Sequence, residues 1–373
     1  MGSVQDQPKH AAPSQQDDDS AAYAQALNLS VAYAVPMALK AAIELDVFEI
    51  IGEAGPGAQL SPAEIASRIA PNGGSAERAA VELDRILRFL ASHGVLTCSA
   101  AAASGGGGGG VANRYGLAPV CKFYRKNEDG TSIVPLIQMN TDKVFLDSWQ
   151  ELKYGVVEGV VPFEKAHGMS FFEYQGAHPS FGRVFNQGMS YSSSVLLKKM
   201  LDTYTGFQGV KELVDVAGGV GTTLRTIVAR FPHIKGTNFD LPHVISDAPP
   251  ISGVEHVGGD MFVSVPRGDA IFLKFILHNW RHEACLKLLK NCFEALPESG
   301  KVIVMDCIVP EVPEASTETK VTLYGDLCMM AYLDGGKERT LKEFEFLARE
   351  AGFKMLRVAC CAYGIWVMEL LKQ

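Results

Sequence analysis

Three glycines, an acid that closes the next apolar segment and a histidine placed after a third such segment are the residues of this 373-residue chain whose types and spacing could do chemistry. The run Leu213-Val-Asp-Val-Ala-Gly-Gly-Val-Gly221 opens on apolar residues around one acid, which reads as a buried parallel strand, and passes into a loop nearly free of side chains before a helical pattern begins at Thr222. Gly218, Gly219 and Gly221 let the chain turn sharply and leave bare amides at a helix N-terminus, which suits the carboxylate or phosphate of a nucleotide-like cofactor. Asp240 closes the segment 234–239, where a carboxylate can accept from both hydroxyls of a ribose. A glycine loop alone is often only a tight turn; with the acid it points to a nucleoside cofactor. A dinucleotide would need a further glycine where the chain has Leu224, too bulky for the close strand and helix packing of that motif. S-adenosylmethionine has no pyrophosphate and asks only for backbone at its amino-acid end, an acid for its ribose and an apolar slot for adenine. Gly258-Gly-Asp-Met-Phe262 can supply that slot, with Asp260 on the adenine amino group and Met261 and Phe262 against the ring faces. His278 lies in Phe275-Ile-Leu-His-Asn-Trp280, just past the segment 269–274. Ligands of doubly wound sheets bind outside the carboxyl ends of the strands, so this histidine is a candidate general base, the plainer alternative being a hydrogen-bonded core residue.

The elements that must hold these residues follow from the same patterns. The segments 213–216, 234–239, 269–274 and 301–306 read as parallel strands, helices are expected over 320–332 and 341–351, and 355–360 with 365–371 reads as a terminal hairpin. A parallel α/β sheet closed by an antiparallel hairpin is the Rossmann-like architecture of class I methyltransferases. Upstream, 139–194 is rich in aromatics and methionine, either a helical core or, collectively, the lining of a pocket for a planar apolar ligand. Residues 1–20 are polar and read as a disordered tail, with order beginning near Ala21. Over 21–51 the pattern is helical and apolar on more than one face, interrupted at Pro36, so it needs a partner such as a second copy of the chain. Ser61-Pro-Ala-Glu64 is a capping box, Ser75 opens a helix with Leu83, Ile86, Leu87 and Leu90 on one face, and 96–117 reads as a hairpin whose tip is the glycine run 105–110, expected to be mobile and inert. The division expected is a tail over 1–20, a mainly α, winged-helix-like dimerisation domain over 21–150 and a catalytic domain over 151–373. A winged helix raises the rival reading of a non-catalytic binding or regulatory protein, but Glu77, Glu82 and Asp84 offset Arg78, Arg85 and Arg88, leaving no basic face for DNA.

Composition narrows the class further. A hydrophobic fraction of 47% with 20% charged residues is that of a soluble globular protein, and a net charge of −8 argues against nucleic acid and anionic membranes as partners. No secretory apolar region follows Met1 and no apolar run reaches the roughly 18 residues a membrane span requires, so a cytoplasmic location is expected. Eight cysteines without a CxxC pair read as small hydrophobes in a reducing compartment, not as a disulfide frame or zinc site.

From Ala21 to the C-terminus the chain resembles the plant phenolic O-methyltransferases of the caffeic acid, flavonoid and stilbene type. The resemblance is carried by the glycine-loop run above, Asn238-Phe-Asp-Leu-Pro-His243, Gly258-Gly-Asp-Met-Phe262, Leu277-His-Asn-Trp280 and Gly335-Gly-Lys-Glu-Arg-Thr340, five ordered motifs of high specificity. It implies a homodimer, a metal-free S-adenosylmethionine site, and a histidine base flanked by two acids, which fall on Asp306 and Glu338. It also implies that Ala217, Gly218, Gly219, Leu241 and Lys274 contact the cofactor beside Asp240, Asp260, Met261 and Phe262. Two positions depart from the family pattern: Ala217 stands where a glycine is usual and Asn279 where an aspartate commonly follows the histidine. The added methyl is expected to weaken cofactor affinity at most. The implied acceptor pocket falls on Met139, Asn140, Phe145, Phe171, Gln175, Phe181, Phe185, Met189, Ser192, Met329 and Leu333. Here Phe171 replaces a small residue, Gln175 and Ser192 replace histidines and Leu333 replaces an amide. Fewer polar handles and more flat apolar wall favour a two-ring stilbene or flavonoid as acceptor, with caffeic acid or 5-hydroxyferulic precursors as the alternative.

Overall fold

The computed structural model describes residues 15–69, 76–102, 111–128 and 130–373. It divides into two compact units, one ending at Arg125 and the other running from Lys126 to Gln373. The division falls before the boundary expected at residue 150, because the helices Val134–Asn140 and Lys143–Gln150 pack with the aromatic helices that follow them.

In the first unit the helices Gln15–Ser30, Ala34–Glu44 and Val47–Glu53 are followed by Pro62–Ile69 and Ala76–Ser92. Helix therefore begins inside the segment read as a tail: Asp18 and Asp19 favour the positive end of the helix dipole, and Ala21, Ala22, Ala24 and Ala26 are strong helix formers. Pro36 does not interrupt its helix. It sits in the first turn of Ala34–Glu44, where no intrahelical partner is needed for the missing N–H, and the break falls at 31–33 instead. Tyr23, Leu27, Leu29, Val31 and Tyr33 stand exposed, an apolar surface of the kind anticipated for 21–51. The capping box forms as read, with Glu64 N donating to Ser61 Oγ (3.2 Å) and Ser61 N to Glu64 Oε2 (2.6 Å). Leu83, Leu87 and Leu90 are buried. The hairpin pairs Leu96–Ala102 with Val111–Leu117, and Gln59–Leu60 adds a third strand. Asp84, on the helix compared with a recognition helix, accepts from Tyr115 Oη at 2.6 Å and so serves the hairpin. Ser75 and the glycine run 105–110 lie outside the described residues.

The second unit is built on a seven-stranded sheet. Its strands are β1 (Glu212–Val216), β2 (Lys235–Asp240), β3 (Val254–Gly258), β4 (Ala270–Lys274), β5 (Lys301–Asp306), β6 (Met355–Ala362) and β7 (Ile365–Leu371), in the order β6-β7-β5-β4-β1-β2-β3. The first five run parallel; β7 is antiparallel to β5 and to β6. Alternate residues feed two cores: Val214, Val216, Ile271, Leu273, Val302 and Val304 one face, and Leu213, Ala270, Phe272, Ile303 and Met305 the other. β3 escaped the sequence reading because Val-Glu-His-Val-Gly, at the sheet edge, is only half-buried and carries no apolar run. The strand order reverses between β1 and β4, and in sheets of this kind ligands bind outside the carboxyl ends of the strands at that point. The helices Thr317–Tyr332 and Leu341–Glu350 and the terminal hairpin form where expected. All eight cysteines are free. Among the described residues no single helix is long and apolar enough to cross a membrane; helices 18–30 and 34–44 meet that test only as a pair bent by 51°.

Candidate active site

The turn after β1 is shaped by backbone sterics. Ala217, Gly219 and Gly221 all have positive φ (54°, 60° and 85°), so Ala217 holds a conformation that costs an alanine about 1 kcal/mol. Gly218 must be glycine for a different reason: a Cβ there would lie 2.2 Å from Asn238 Oδ1 and 2.7 Å from Asp215 Oδ2. Asn238 Nδ2 donates to Gly219 O (2.8 Å), and Asp240 Oδ2 accepts from Gly219 N (2.8 Å) while its Oδ1 accepts from Leu241 N (2.7 Å). Loop and acid, paired in the sequence reading by spacing alone, are thus bonded to one another, and each carboxylate oxygen retains a lone pair for a hydroxyl. The turn after β3 is tied to the same place, since Gly259 N donates to Asp240 O (2.9 Å). Asp260 Oδ1 caps the turn through Phe262 N (2.8 Å), Met261 and Phe262 are half-buried, and Phe262 stands edge-on to Trp280 with ring centroids 4.9 Å apart. A ribose-competent acid and an aromatic slot fit S-adenosylmethionine, but the amides expected to be bare are not: those of Ala217 and Gly218 donate to Phe239 O, that of Gly219 to Asp240 Oδ2 and that of Gly221 to Gly218 O, because the tight turn closes on itself and on the neighbouring strand.

Two groups beneath this loop were missed from the sequence. Asp215 and Asn238 are buried, and Asp215 Oδ2 and Asn238 Oδ1 have no hydrogen-bond partner among the described residues. Burial raises the Asp215 carboxyl to about 7, against the opposing pull of Lys274. Lys274, at the end of β4, donates through Nζ to Ser193 Oγ (2.8 Å) on the helix Pro179–Thr203. Burial lowers its pKa, and the charges of Asp215 and Asp306 resist that fall. The signal for Asp215 was present, a lone acid in a buried strand, but its sequence does not say which way it faces.

After Lys274 the chain makes a strained turn. Phe275 adopts φ 55°, uncommon for an aromatic residue, held by its N–H to Met305 O (3.0 Å) and by Asn279 Nδ2 donating to its carbonyl (3.1 Å). A short 3₁₀ turn, Leu277–Asn279, then presents His278, whose ring lies nearly parallel to that of Phe275 at 5.6 Å. His278 Nδ1 is 2.7 Å from Glu338 Oε1 and 3.5 Å from Asp306 Oδ1. Since carboxylates only accept, Nδ1 carries the proton and the neutral ring has its lone pair on Nε2. Burial works against the imidazolium, but the charge of Asp306 together with the hydrogen bond and charge of Glu338 outweighs it and lifts the His278 pKa above the ordinary value. Burial likewise raises the Asp306 carboxyl, with His278 opposing. A salt bridge between Glu338 and its charged neighbours does not form: Glu338 is buried, while Lys337 bonds Glu343 and Arg339 bonds main-chain carbonyls. The side chains of His278, Asp306 and Glu338 offer ligand atoms within 4.8 Å of one another, a set a cation could use, but the Nδ1–Oε1 separation is that of a charge-assisted hydrogen bond.

The aromatic region gathers as one cluster. Met139, Phe145, Phe171 and Phe181 are buried with Phe163 and Tyr332, and Phe185, Met189, Met329 and Leu333 pack half-buried at its edge. Phe171 does not stand open as the flat wall expected of it: it is 4% exposed and enclosed by other rings of the cluster, among them Phe163 (5.3 Å), Phe185 (5.1 Å) and Tyr332 (6.0 Å). Gln175 turns its amide to Asn186 (3.1 Å), Asn140 is half-buried, and Ser192 falls on the helix Pro179–Thr203 next to Ser193.

A sheet of this order with its cofactor loop at the reversal point is that of a class I methyltransferase. The O-methyltransferase domain matches residues 149–354 and the O-methyltransferase dimerisation domain residues 27–127. Caffeic acid 3-O-methyltransferase of Catharanthus roseus is 53% identical over 372 residues, covering 100% of both chains. Esculetin O-methyltransferase of Kitagawia praeruptora is 53% identical over 347 residues, 93% of this chain and 94% of that one. Among solved structures, the methyltransferase CalO1 of calicheamicin biosynthesis in its S-adenosylhomocysteine-bound form is similar with a TM-score of 0.76 at 26% identity, covering 96% of this chain and 100% of that one. The chain belongs to the plant phenolic O-methyltransferases, S-adenosylmethionine-dependent enzymes of a metal-independent family.

Proposed function

We propose that this enzyme methylates a catechol-type phenylpropanoid of the caffeic acid class, as a cytoplasmic homodimer, with His278 as general base and Asp306 and Glu338 as its acid partners. The observation that carries the base is the 2.7 Å contact of His278 Nδ1 with Glu338, which leaves Nε2 free to take a proton. The acceptor class rests on full-length likeness to a caffeic acid enzyme and to an esculetin enzyme, both named for catechols. These relatives stand with the alternative drawn from the sequence, not with the stilbene or flavonoid reading.

A phenol titrates at about 10 and histidine at about 6.5, so an imidazole of raised pKa narrows the gap across which the proton moves. S-adenosylmethionine, when bound, supplies an electrophilic methyl group, and the sulfonium keeps the electron pair of the broken C–S bond as S-adenosylhomocysteine. His278 Nε2 accepts the phenolic proton as the oxygen attacks, and Glu338 and Asp306 stabilise the imidazolium that results. The backbone of 217–219 and Asp240 hold the cofactor, with Leu241, Asp260, Met261, Phe262 and Lys274 completing its contacts, and the aromatic cluster excludes water from the transfer.

A stilbene or flavonoid acceptor remains the second reading, favoured by Leu333, which packs into the aromatic cluster and offers no polar handle. The test is methylation with chelator present, comparing kcat/KM for caffeic or 5-hydroxyferulic derivatives, esculetin, resveratrol and luteolin. Preference for the caffeic class or esculetin supports the proposal, and preference for resveratrol or luteolin replaces it with the second reading. His278→Ala is expected to lower turnover by about 10² to 10⁴ fold at unchanged cofactor affinity; near-normal turnover removes the histidine from the mechanism.

A further inference from the structure

The turn that carries His278 has little to hold it in place. Its own main-chain hydrogen bonds are those of Asn279 N to Ile276 O (3.1 Å) and Trp280 N to Leu277 O (3.3 Å), and it follows directly on the strained Phe275. The segment that grips it lies far along the chain. Lys337 N donates to His278 O (2.9 Å), and the Arg339 guanidinium donates through Nη1 to Leu277 O (2.7 Å) and through Nη2 to Trp280 O (2.8 Å). Cys285 Sγ adds weak donation to the same two carbonyls at 3.2 and 3.4 Å. Arg339 is 3% exposed, and among the described residues it pairs with no carboxylate. Burying a guanidinium whose hydrogen bonds go to carbonyls is costly even with the charges of Asp306 and Glu343 nearby, so the position calls for a reason. Glu338, between these two gripping residues, bonds the imidazole itself, and the strand Arg339–Thr340 runs parallel to Ile308–Val309, just beyond Asp306.

We infer that Arg339 is a positioning residue: by holding the carbonyls on either side of His278 from the residue next to Glu338, it fixes the imidazole against its acid partner. The inference rests on the reading of His278 as the base. One planar fork reaching two carbonyls does what a lysine cannot, since an ammonium is a point donor without that fixed geometry. Displacement of a reacting group by about 1 Å can cost about 10² in rate, which sets the scale of the effect.

The experiment is steady-state kinetics of the full-length enzyme with S-adenosylmethionine and a phenol it methylates, together with calorimetric cofactor binding, for Arg339→Lys, Arg339→Gln, His278→Ala and the double variant His278→Ala/Arg339→Gln. The expected result is a kcat lowered by about 10 to 100 fold in Arg339→Gln and by less in Arg339→Lys, with phenol KM and cofactor Kd within about threefold of the parent. In the His278→Ala background, Arg339→Gln should then cost less than about twofold, because the imidazole it places is gone. If Arg339→Gln fails to fold, the same comparison made with Arg339→Lys decides. A kcat within about threefold of the parent in the folded variants overturns the inference, as does a loss of equal size in the His278→Ala background or one that appears in KM or Kd instead. A His278→Ala enzyme that turns over normally is a separate failure, that of the base itself.

Discussion

Glu338→Gln separates the charge of this acid from its shape. The neutral imidazole is the form that accepts a proton, so kcat/KM should rise with pH through the His278 pKa, which lies above the ordinary value in the folded enzyme. Glutamine keeps an acceptor oxygen at the position now 2.7 Å from Nδ1 but removes its charge. A hydrogen bond to a charged group contributes about 1.5 to 3 kcal/mol, and one pH unit corresponds to about 1.4 kcal/mol, so the acid limb should move down by about one to two units. Asp306, at 3.5 Å from the same nitrogen, remains and keeps the shift from being larger. The same interaction stabilises the imidazolium in the transition state, so the plateau rate should fall by about 10 to 100 fold. Stability changes on the opposite side of the profile: a raised folded pKa stabilises the protein fully below the unfolded value of about 6.5, and the contribution fades as pH rises through the folded pKa. The variant should therefore lose stability mainly under acid conditions. Initial rates at limiting phenol and saturating cofactor, from about pH 5 to pH 9, measure the limb. An acid limb within about 0.3 units of the parent would refute the assignment of Glu338 as partner of the imidazole.

Asp240→Ala should weaken S-adenosylmethionine binding by about 1 to 3 kcal/mol by calorimetry, since ribose hydroxyls lose a charged acceptor; unchanged affinity would mean that the carboxylate only ties Gly219 and Leu241. Tyr204→Phe removes a 2.6 Å hydrogen bond to the buried Glu369, which Lys301 also contacts at 2.7 Å, and should lower Tm by several degrees, a cost of about 1.5 to 3 kcal/mol; an unchanged melting curve would show that Lys301 and Arg357 satisfy Glu369 unaided. Light scattering at micromolar concentration should give the mass of a dimer, through the exposed apolar surface of Gln15–Ser30 and the residues after it, and a monomer mass would contradict that.

The sequence by itself determined most of what is local. The central parallel strands announce themselves as apolar runs because both faces are buried, the glycine loop because Gly219 and Gly221 take positive φ and Gly218 has no room for a Cβ, and the helix start because Ser61 and Glu64 satisfy each other's amides. His278 was legible as a candidate from its place past a strand end, whereas Asp306 and Glu338 came only through the family resemblance. Local pattern failed where burial was partial, as in β3, or where propensity alone decided, as in the helix that begins at Gln15.

Only the tertiary structure decided which side chains meet. Glu338 and Arg339 reach the turn of His278 across some sixty residues, and no period in the chain encodes that these two turn inward while Lys337 stays at the surface. Phe171 was legible as a large apolar residue, but whether its ring faces a ligand or six other aromatic rings depends on helices that pack from distant parts of the unit. Periodicity records which face of an element avoids water; the partner found on that face is set by chain closure and packing, which short-range sequence does not carry.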